Sequence, residues 1–217
     1  MKNKMTLIIP TVFAKTKKEF EKRFSKLIGI SRNFQIDFMD GKFVASQGIS
    51  LKDIPNLKKF KGKNFEAHLM VSNPSDWISD LKNKGFKKII FHYEACSDVN
   101  EIKQIIDKIG KGGVVAFNPS TSINEIISIL KETKIKNILL MGVKPGKEGQ
   151  KIDSNIYKRI SNIKRFDKEI RIQVDGGVND KTIKNLAEAG ADYFNVGSFF
   201  SRTRNPKEVF KKLENKL

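Results

Sequence analysis

Apolar residues along this chain follow two alternating rhythms. Short runs rich in Ile, Val and Phe are separated by longer stretches in which apolar positions recur at helical spacing between Lys and Glu. The first rhythm suits buried strands, and the second suits helices that lay one face on a core. Strands are expected at 6–10, 34–37, 65–70, 88–92, 113–117, 137–141, 170–175 and 193–196. Helices are expected at 17–27, 74–84, 99–109, 123–131, 154–163, 181–189 and 206–213, while 46–64 carries neither rhythm.

The punctuation agrees with the periods. Ser72-Asn73-Pro74, Ser97-Asp98, Ser120-Thr121-Ser122 and Asn179-Asp180 stand where helices should begin, and their short polar side chains can accept from free first-turn amides. Gly85, Gly110 and Gly190 stand where helices should end, a position that favours a residue able to turn left-handed. Strands alternating with helices imply parallel pairing through right-handed crossovers, and eight such units close into a (β/α)8 TIM barrel. A doubly wound open sheet is the competing architecture, but no Gly-x-Gly-x-x-Gly follows the first strand, where a dinucleotide fold would carry it. No linker or low-complexity tract interrupts the alternation, so residues 1–217 read as one barrel domain.

Composition narrows the setting. With 39% hydrophobic and 30% charged residues the chain can bury a large core, and no apolar stretch reaches the roughly 20 residues of a membrane span. Residues 1–14 imitate a secretory leader, with Lys2 and Lys4 ahead of an apolar run, but Pro10 inside the run and Lys15, Lys17 and Lys18 after it fit a buried first strand better. The single cysteine, Cys96, excludes an internal disulfide and fits a reducing compartment, so a cytoplasmic location is expected. A net charge of +18 raises the question of nucleic acid. The lysines are scattered over every expected helix without interleaved aromatics, so a solvated basic surface is expected, with no specific nucleic-acid partner and no membrane partner.

The chemistry sits at strand ends. Phe34-Gln35-Ile36-Asp37 places Gln35 and Asp37 on one face, and Ile170-Arg171-Ile172-Gln173-Val174-Asp175 ends in a second carboxylate before Gly176-Gly177. Barrel active sites form at the C-terminal ends of the strands. Two carboxylates there can exchange a proton with a substrate from both sides, the minimal equipment of an epimerase or isomerase. Asp40, beside Gly41, reads as a turn former.

His68 ends the third strand and can join the carboxylates as ligands of a divalent transition ion, which would stabilise a developing enediolate. His92 is expected to be a hydrogen-bonded structural group, and with only these two histidines a histidine-rich metal site is excluded. Asp175-Gly176-Gly177 and Gly197-Ser198 follow the last two strands, where barrels hold phosphate on backbone amides. Residues 142–150, with Pro145, Gly146 and Gly149, read as a lid. Met39, Met70 and Met141 fall at strand ends and can line the pocket.

Taken together, Asp37-Phe38-Met39-Asp40-Gly41, Ala67-His68-Leu69-Met70-Val71, Phe91-His92-Tyr93-Glu94-Ala95, Phe117-Asn118-Pro119, Pro145-Gly146 through Gly149-Gln150, Val174-Asp175-Gly176-Gly177-Val178 and Gly197-Ser198 resemble the ribulose-phosphate 3-epimerase family, in order, from about Leu7 to the last strand. The resemblance implies a ribulose-phosphate-binding barrel that interconverts D-ribulose 5-phosphate and D-xylulose 5-phosphate by moving the C3 proton. It implies Asp37 and Asp175 as the acid/base pair and, with His68, as ligands of a divalent Zn, Fe, Mn or Co ion. It also implies that Met39, Met70 and Met141 line the site and that Gly177, Gly197 and Ser198 hold phosphate. Thr11, Gly146, Gly149 and Gly176 complete the substrate-binding set, Thr11 standing where the family usually has a serine. A homo-oligomer follows by the same analogy.

The departures are specific. Gln35 replaces the family's histidine two residues before Asp37, exchanging an imidazole ligand for an amide whose oxygen suits harder ions. Lys144-Pro145-Gly146-Lys147-Glu148-Gly149-Gln150 stands where the family has N-P-G-F-G-G-Q. Ala14-Lys15 likewise replaces a serine and a small or acidic stretch. These changes motivate an alternative, a non-catalytic or altered-substrate phosphosugar-binding protein on the same scaffold. A decarboxylase of the D-x-K-x-x-D type is disfavoured, because Asp37-Phe38-Met39-Asp40 carries no lysine between its acids.

Overall fold

The structure is a computed structural model that describes residues 7–217. Residues 1–6, with Thr6 of the expected first strand, therefore lie outside the described residues. Eight strands, β1 (Leu7–Val12), β2 (Asn33–Met39), β3 (Asn64–Met70), β4 (Lys88–His92), β5 (Gly113–Phe117), β6 (Asn137–Met141), β7 (Arg171–Asp175) and β8 (Tyr193–Val196), close into an all-parallel barrel. Each pairs with the next, and β8 returns to β1. Outside them run α1 (Lys17–Leu27), α2 (Ile78–Lys84), α3 (Val99–Ile109), α4 (Ile123–Thr133), α5 (Asn155–Phe166), α6 (Ile183–Ala189), α7 (Ser198–Ser201) and α8 (Pro206–Glu214).

Two of the four expected N-caps form; Asn73 makes no cap bond, and residues 74–77 are a 3-10 turn ahead of α2. Asp98 accepts from the Glu101 amide at the start of α3. Ser122 and Glu125 form a reciprocal capping box on α4. Asn179 departs from expectation: it accepts from the Lys181 amide and builds a turn, so α6 starts two residues later than its periodicity implied. The 46–64 connection holds two single 3-10 turns, Leu51–Asp53 and Leu57–Lys59, in place of a helix. α7 is too short to leave a periodic trace in the sequence. No helix among the described residues is long and apolar enough to cross a membrane.

The main core lies between sheet and helices. Phe20 and Phe24 of α1 stack at 5.1 Å between ring centroids and meet Phe34 and Phe65 of the adjacent strands. Each fully buried phenyl contributes roughly 1.5–3 kcal/mol, so this cluster anchors the β2–β3 side of the barrel, which carries Asp37 and His68.

Inside, the barrel is divided. Apart from His92 of β4, the β4–β6 side is apolar, built from Ile90, Val114, Ala116, Leu139 and Met141. The rest is polar and buried: Gln35, Asp37, Glu66, His68, Gln173, Asp175 and Asn195. Toward the N-terminal ends of the strands Glu66 accepts from Gln173 at 2.8 Å and from Lys88 at 3.3 Å, forming a floor. The upper polar groups remain for the site.

Candidate active site

Register assembles the site. Asp37 of β2 pairs with His68 of β3, Asp175 of β7 pairs with Asn195 of β8, and Thr11 of β1 pairs with Gln35 of β2. Since alternate residues point inward, these side chains converge near the C-terminal mouth. His68 Nδ1 lies 3.4 Å from Asp37 Oδ1 and 3.3 Å from Asp175 Oδ2. Ligand atoms of these three buried residues all fall within 4.8 Å of one another.

The electrostatics follow from burial. Desolvation pushes Asp37 up to about 6, with the nearby Asp175 charge adding to it and hydrogen bonds from His68 and Gln35 opposing. For His68, burial works against the cation, but hydrogen bonds to Asp175 and Asp37 and their charges prevail and lift it to about 9. A protonated imidazole thus balances part of the carboxylate charge, as a bound cation also would.

Gln35 is a hydrogen-bond donor to this cluster. Its Nε2 donates to Asp175 Oδ2 at 2.5 Å and to Asp37 Oδ1 at 3.0 Å. Its Oε1 accepts from Asn195 Nδ2 at 2.6 Å. The amide oxygen expected as a ligand is therefore turned away from the carboxylates and engaged by Asn195.

Behind His68 runs a second line of contacts. His68 Nε2 and His92 Nε2 are 2.9 Å apart with the rings stacked, and His92 Nδ1 lies 3.3 Å from Glu94 Oε2. Glu94 accepts in turn from the Asn118 amide and the Thr121 hydroxyl. Burial holds His92 below its ordinary value. Glu94 lies below its own despite burial, because His92, Thr121 and the Asn118 amide hydrogen-bond to it. The consistent proton arrangement is His68 Nε2–H donating to His92 Nε2, and His92 Nδ1–H donating to Glu94. The Nδ1–H of the His68 cation then faces Asp37 and Asp175. His92 is the hydrogen-bonded structural group expected of it, placed so as to orient His68.

Above the carboxylates, a cavity of about 570 Å³, open mouth included, is lined by Thr11, Met70, Met141, Gly176, Gly177, Gly197, Ser198 and the loop from Val143 to Gln150. Thr11 Oγ1 is buried and has no hydrogen-bond partner among the described residues. Gly177, at φ +74°, is pressed by Ile152, whose Cβ would stand 2.6 Å from an added methyl. The lid glycines Gly146 and Gly149 also have positive φ.

Most residues singled out from the sequence thus meet at one place. Met39 does not: its methyl packs against Gly48, and it is absent from the cavity lining. Asp40 builds a turn as expected, accepting from the Lys42, Phe43 and Ser72 amides. Sequence reasoning missed Asn195, Phe13 and Val178. Asn195 had a signal, a lone amide inside an apolar strand; Phe13 and Val178 had none.

Residues 6–201 match the model of the ribulose-phosphate 3 epimerase family. The chain is 32% identical over 180 residues to a ribulose-phosphate 3-epimerase, cytoplasmic isoform, of Oryza sativa subsp. japonica, covering 82% of this chain and 79% of that one. It is 27% identical over 214 residues to the ribulose-phosphate 3-epimerase of Schizosaccharomyces pombe, covering 97% and 93%. Among solved structures, a 3-hexulose-6-phosphate synthase from Salmonella typhimurium matches 98% of both chains with a TM-score of 0.73 at 19% identity, a likeness of fold.

Proposed function

Because the chain belongs to the ribulose-phosphate 3-epimerase family and is an epimerase, we propose that it interconverts D-ribulose 5-phosphate and D-xylulose 5-phosphate, with Asp37 and Asp175 carrying the C3 proton. The observation behind this reading is the meeting of two buried carboxylates on one imidazole at the floor of a lidded cavity. Inversion at carbon needs a proton removed from one face and returned to the other, which one carboxylate alone cannot do. One aspartate takes the proton while its partner donates, and the roles reverse with direction. Without a cation, burial and the Asp175 charge raise Asp37 to about 6.

The donor set fits a divalent cation. Asp37, His68 and Asp175 would hold it, three ligands that leave positions open, as catalytic sites do. Gln35 is left out, because its nitrogen faces inward. A zinc, iron, manganese or cobalt ion there supplies positive charge against the negative charge that develops on substrate oxygens. Gln35 holds both carboxylates in place, Met70 and Met141 pack the cavity wall, and the lid excludes water. Thr11 offers its unpartnered hydroxyl to the sugar, while Gly146, Gly149, Gly176, Gly177, Gly197 and Ser198 surround the phosphate. A binding protein without turnover has less support, since both carboxylates and His68 remain aimed at one point. Assembly into a homo-oligomer is proposed on the family resemblance alone.

The test is solvent-deuterium incorporation at C3 of ribulose 5-phosphate. Asp37→Asn and Asp175→Asn should each slow exchange by about 10²–10⁴-fold, the usual worth of a positioned acid or base. Exchange at the unmodified rate in either variant would remove that residue from its role.

A further inference from the structure

Glu148 stands in the lid with its carboxylate turned inward. Oε2 accepts from Arg23 Nη1 at 2.7 Å, tying the lid to α1 across the mouth of the barrel. Oε1 is buried and has no hydrogen-bond partner among the described residues. It lies 3.4 Å from where a Cβ on Gly197 would stand, and Glu148 lines the same cavity as Gly177, Gly197 and Ser198. Burying a carboxylate oxygen without a donor is costly. The oxygen is nonetheless placed against the loop proposed to take phosphate.

Arg23 is aimed rather than free. Its Nη2 is held by Glu19 Oε1 at 2.7 Å, one turn back on α1, which fixes the guanidinium with Nη1 toward the mouth. A planar guanidinium matches phosphate as well as it matches carboxylate. Only the width of one carboxylate separates it from the cavity.

Resting on the reading that Gly177, Gly197 and Ser198 hold phosphate, we propose that Glu148 is an internal anion of the phosphate subsite, competing with the substrate's phosphate for Arg23. When the phosphate enters, Glu148 yields and Arg23 becomes the phosphate's side-chain partner. A phosphate near neutral pH carries about −1.5 to −2 charges against one for the carboxylate, so the exchange favours substrate. The two anions repel too strongly to share the place. A sugar lacking phosphate has nothing to exchange, so the device selects phosphorylated ketoses.

The measurements are KM for ribulose 5-phosphate and the competitive inhibition constant of inorganic phosphate, in the unmodified protein and in Glu148→Gln, Arg23→Gln and Arg23→Lys. Glu148→Gln should lower both constants severalfold. Arg23→Gln should raise both by about tenfold, the scale of one charge-assisted hydrogen bond, with Arg23→Lys between. An Arg23–Glu148 pair that merely latches the lid would move both constants in the same direction in the Glu148 and Arg23 variants. That result, or an unchanged inhibition constant, overturns the proposal while leaving the phosphosugar reading intact. An unmodified protein that neither turns over ribulose 5-phosphate nor is inhibited by phosphate overturns that reading and the proposal with it.

Discussion

Gln35 Nε2 donates to Asp175 Oδ2 across 2.5 Å, joining two strands that are 140 residues apart in the chain. With its second contact to Asp37, the amide bridges the carboxylates. Replacing Gln35 by Leu leaves both acids without this donor and should lower stability by about 1–3 kcal/mol, the penalty for an unsatisfied buried polar group. Thermal unfolding reads this. Gln35→His instead adds an imidazole beside the three converging donors, and should increase the zinc retained after dialysis. Metal content equal to that of the unmodified protein would show that position 35 does not reach the ion.

His68 gives the chelator-treated protein a definite pH signature. Its folded value, about 9, lies above the ordinary 6.5. The native state therefore holds the proton more tightly than the unfolded chain, and the resulting stability is complete below pH 6.5 and is lost as pH rises through 9. Asp37 is also raised, from 3.8 to about 6, so its contribution is lost below the His68 window. Denaturant midpoints should fall between pH 6.5 and 9, and His68→Asn should flatten that slope. A flat profile in the unmodified protein would contradict the charge balance drawn here.

His92 and Glu94 are expected to act on metal through His68. Loss of such an orienting partner typically lowers metal affinity about 10–100-fold. His92→Leu and Glu94→Gln should each weaken zinc binding on that scale in a calorimetric titration, although neither residue belongs to the converging donor set. Affinity equal to that of the unmodified protein would assign the pair a packing role only.

Gly177→Ala tests the loop after β7. The added methyl meets Ile152 at 2.6 Å and sits on a backbone with φ +74°. Strain of this kind costs on the order of 1–3 kcal/mol, so a lowered thermal midpoint should accompany a raised KM for ribulose 5-phosphate. A variant with both values unchanged would mean that neither the close approach nor the loop's shape matters.

Strand and helix alternation, the Asp98 and Ser122 caps, the glycine helix ends, both aspartates and His68 were legible in the sequence, because period and capping are local properties and a carboxylate at the end of an apolar strand is conspicuous. Asn195 was legible in principle, as an amide in an otherwise apolar run. The start of α6 was misread, since Asn179 can serve a turn as readily as a cap and only the packed chain chooses. Met39 shared the inward face of β2 with Asp37, yet Gly48 on the following loop captured its side chain.

By itself, then, the sequence determined the barrel and the chemical groups at its mouth, through periodicities that a chain carries before it folds. Tertiary structure alone decided what those groups do to one another. Closing eight strands brought Gln35 beside Asp175, turned its oxygen to Asn195, and set Glu148 of the lid on Arg23. Those relationships depend on register and distance between segments far apart in the chain, quantities that no local pattern encodes.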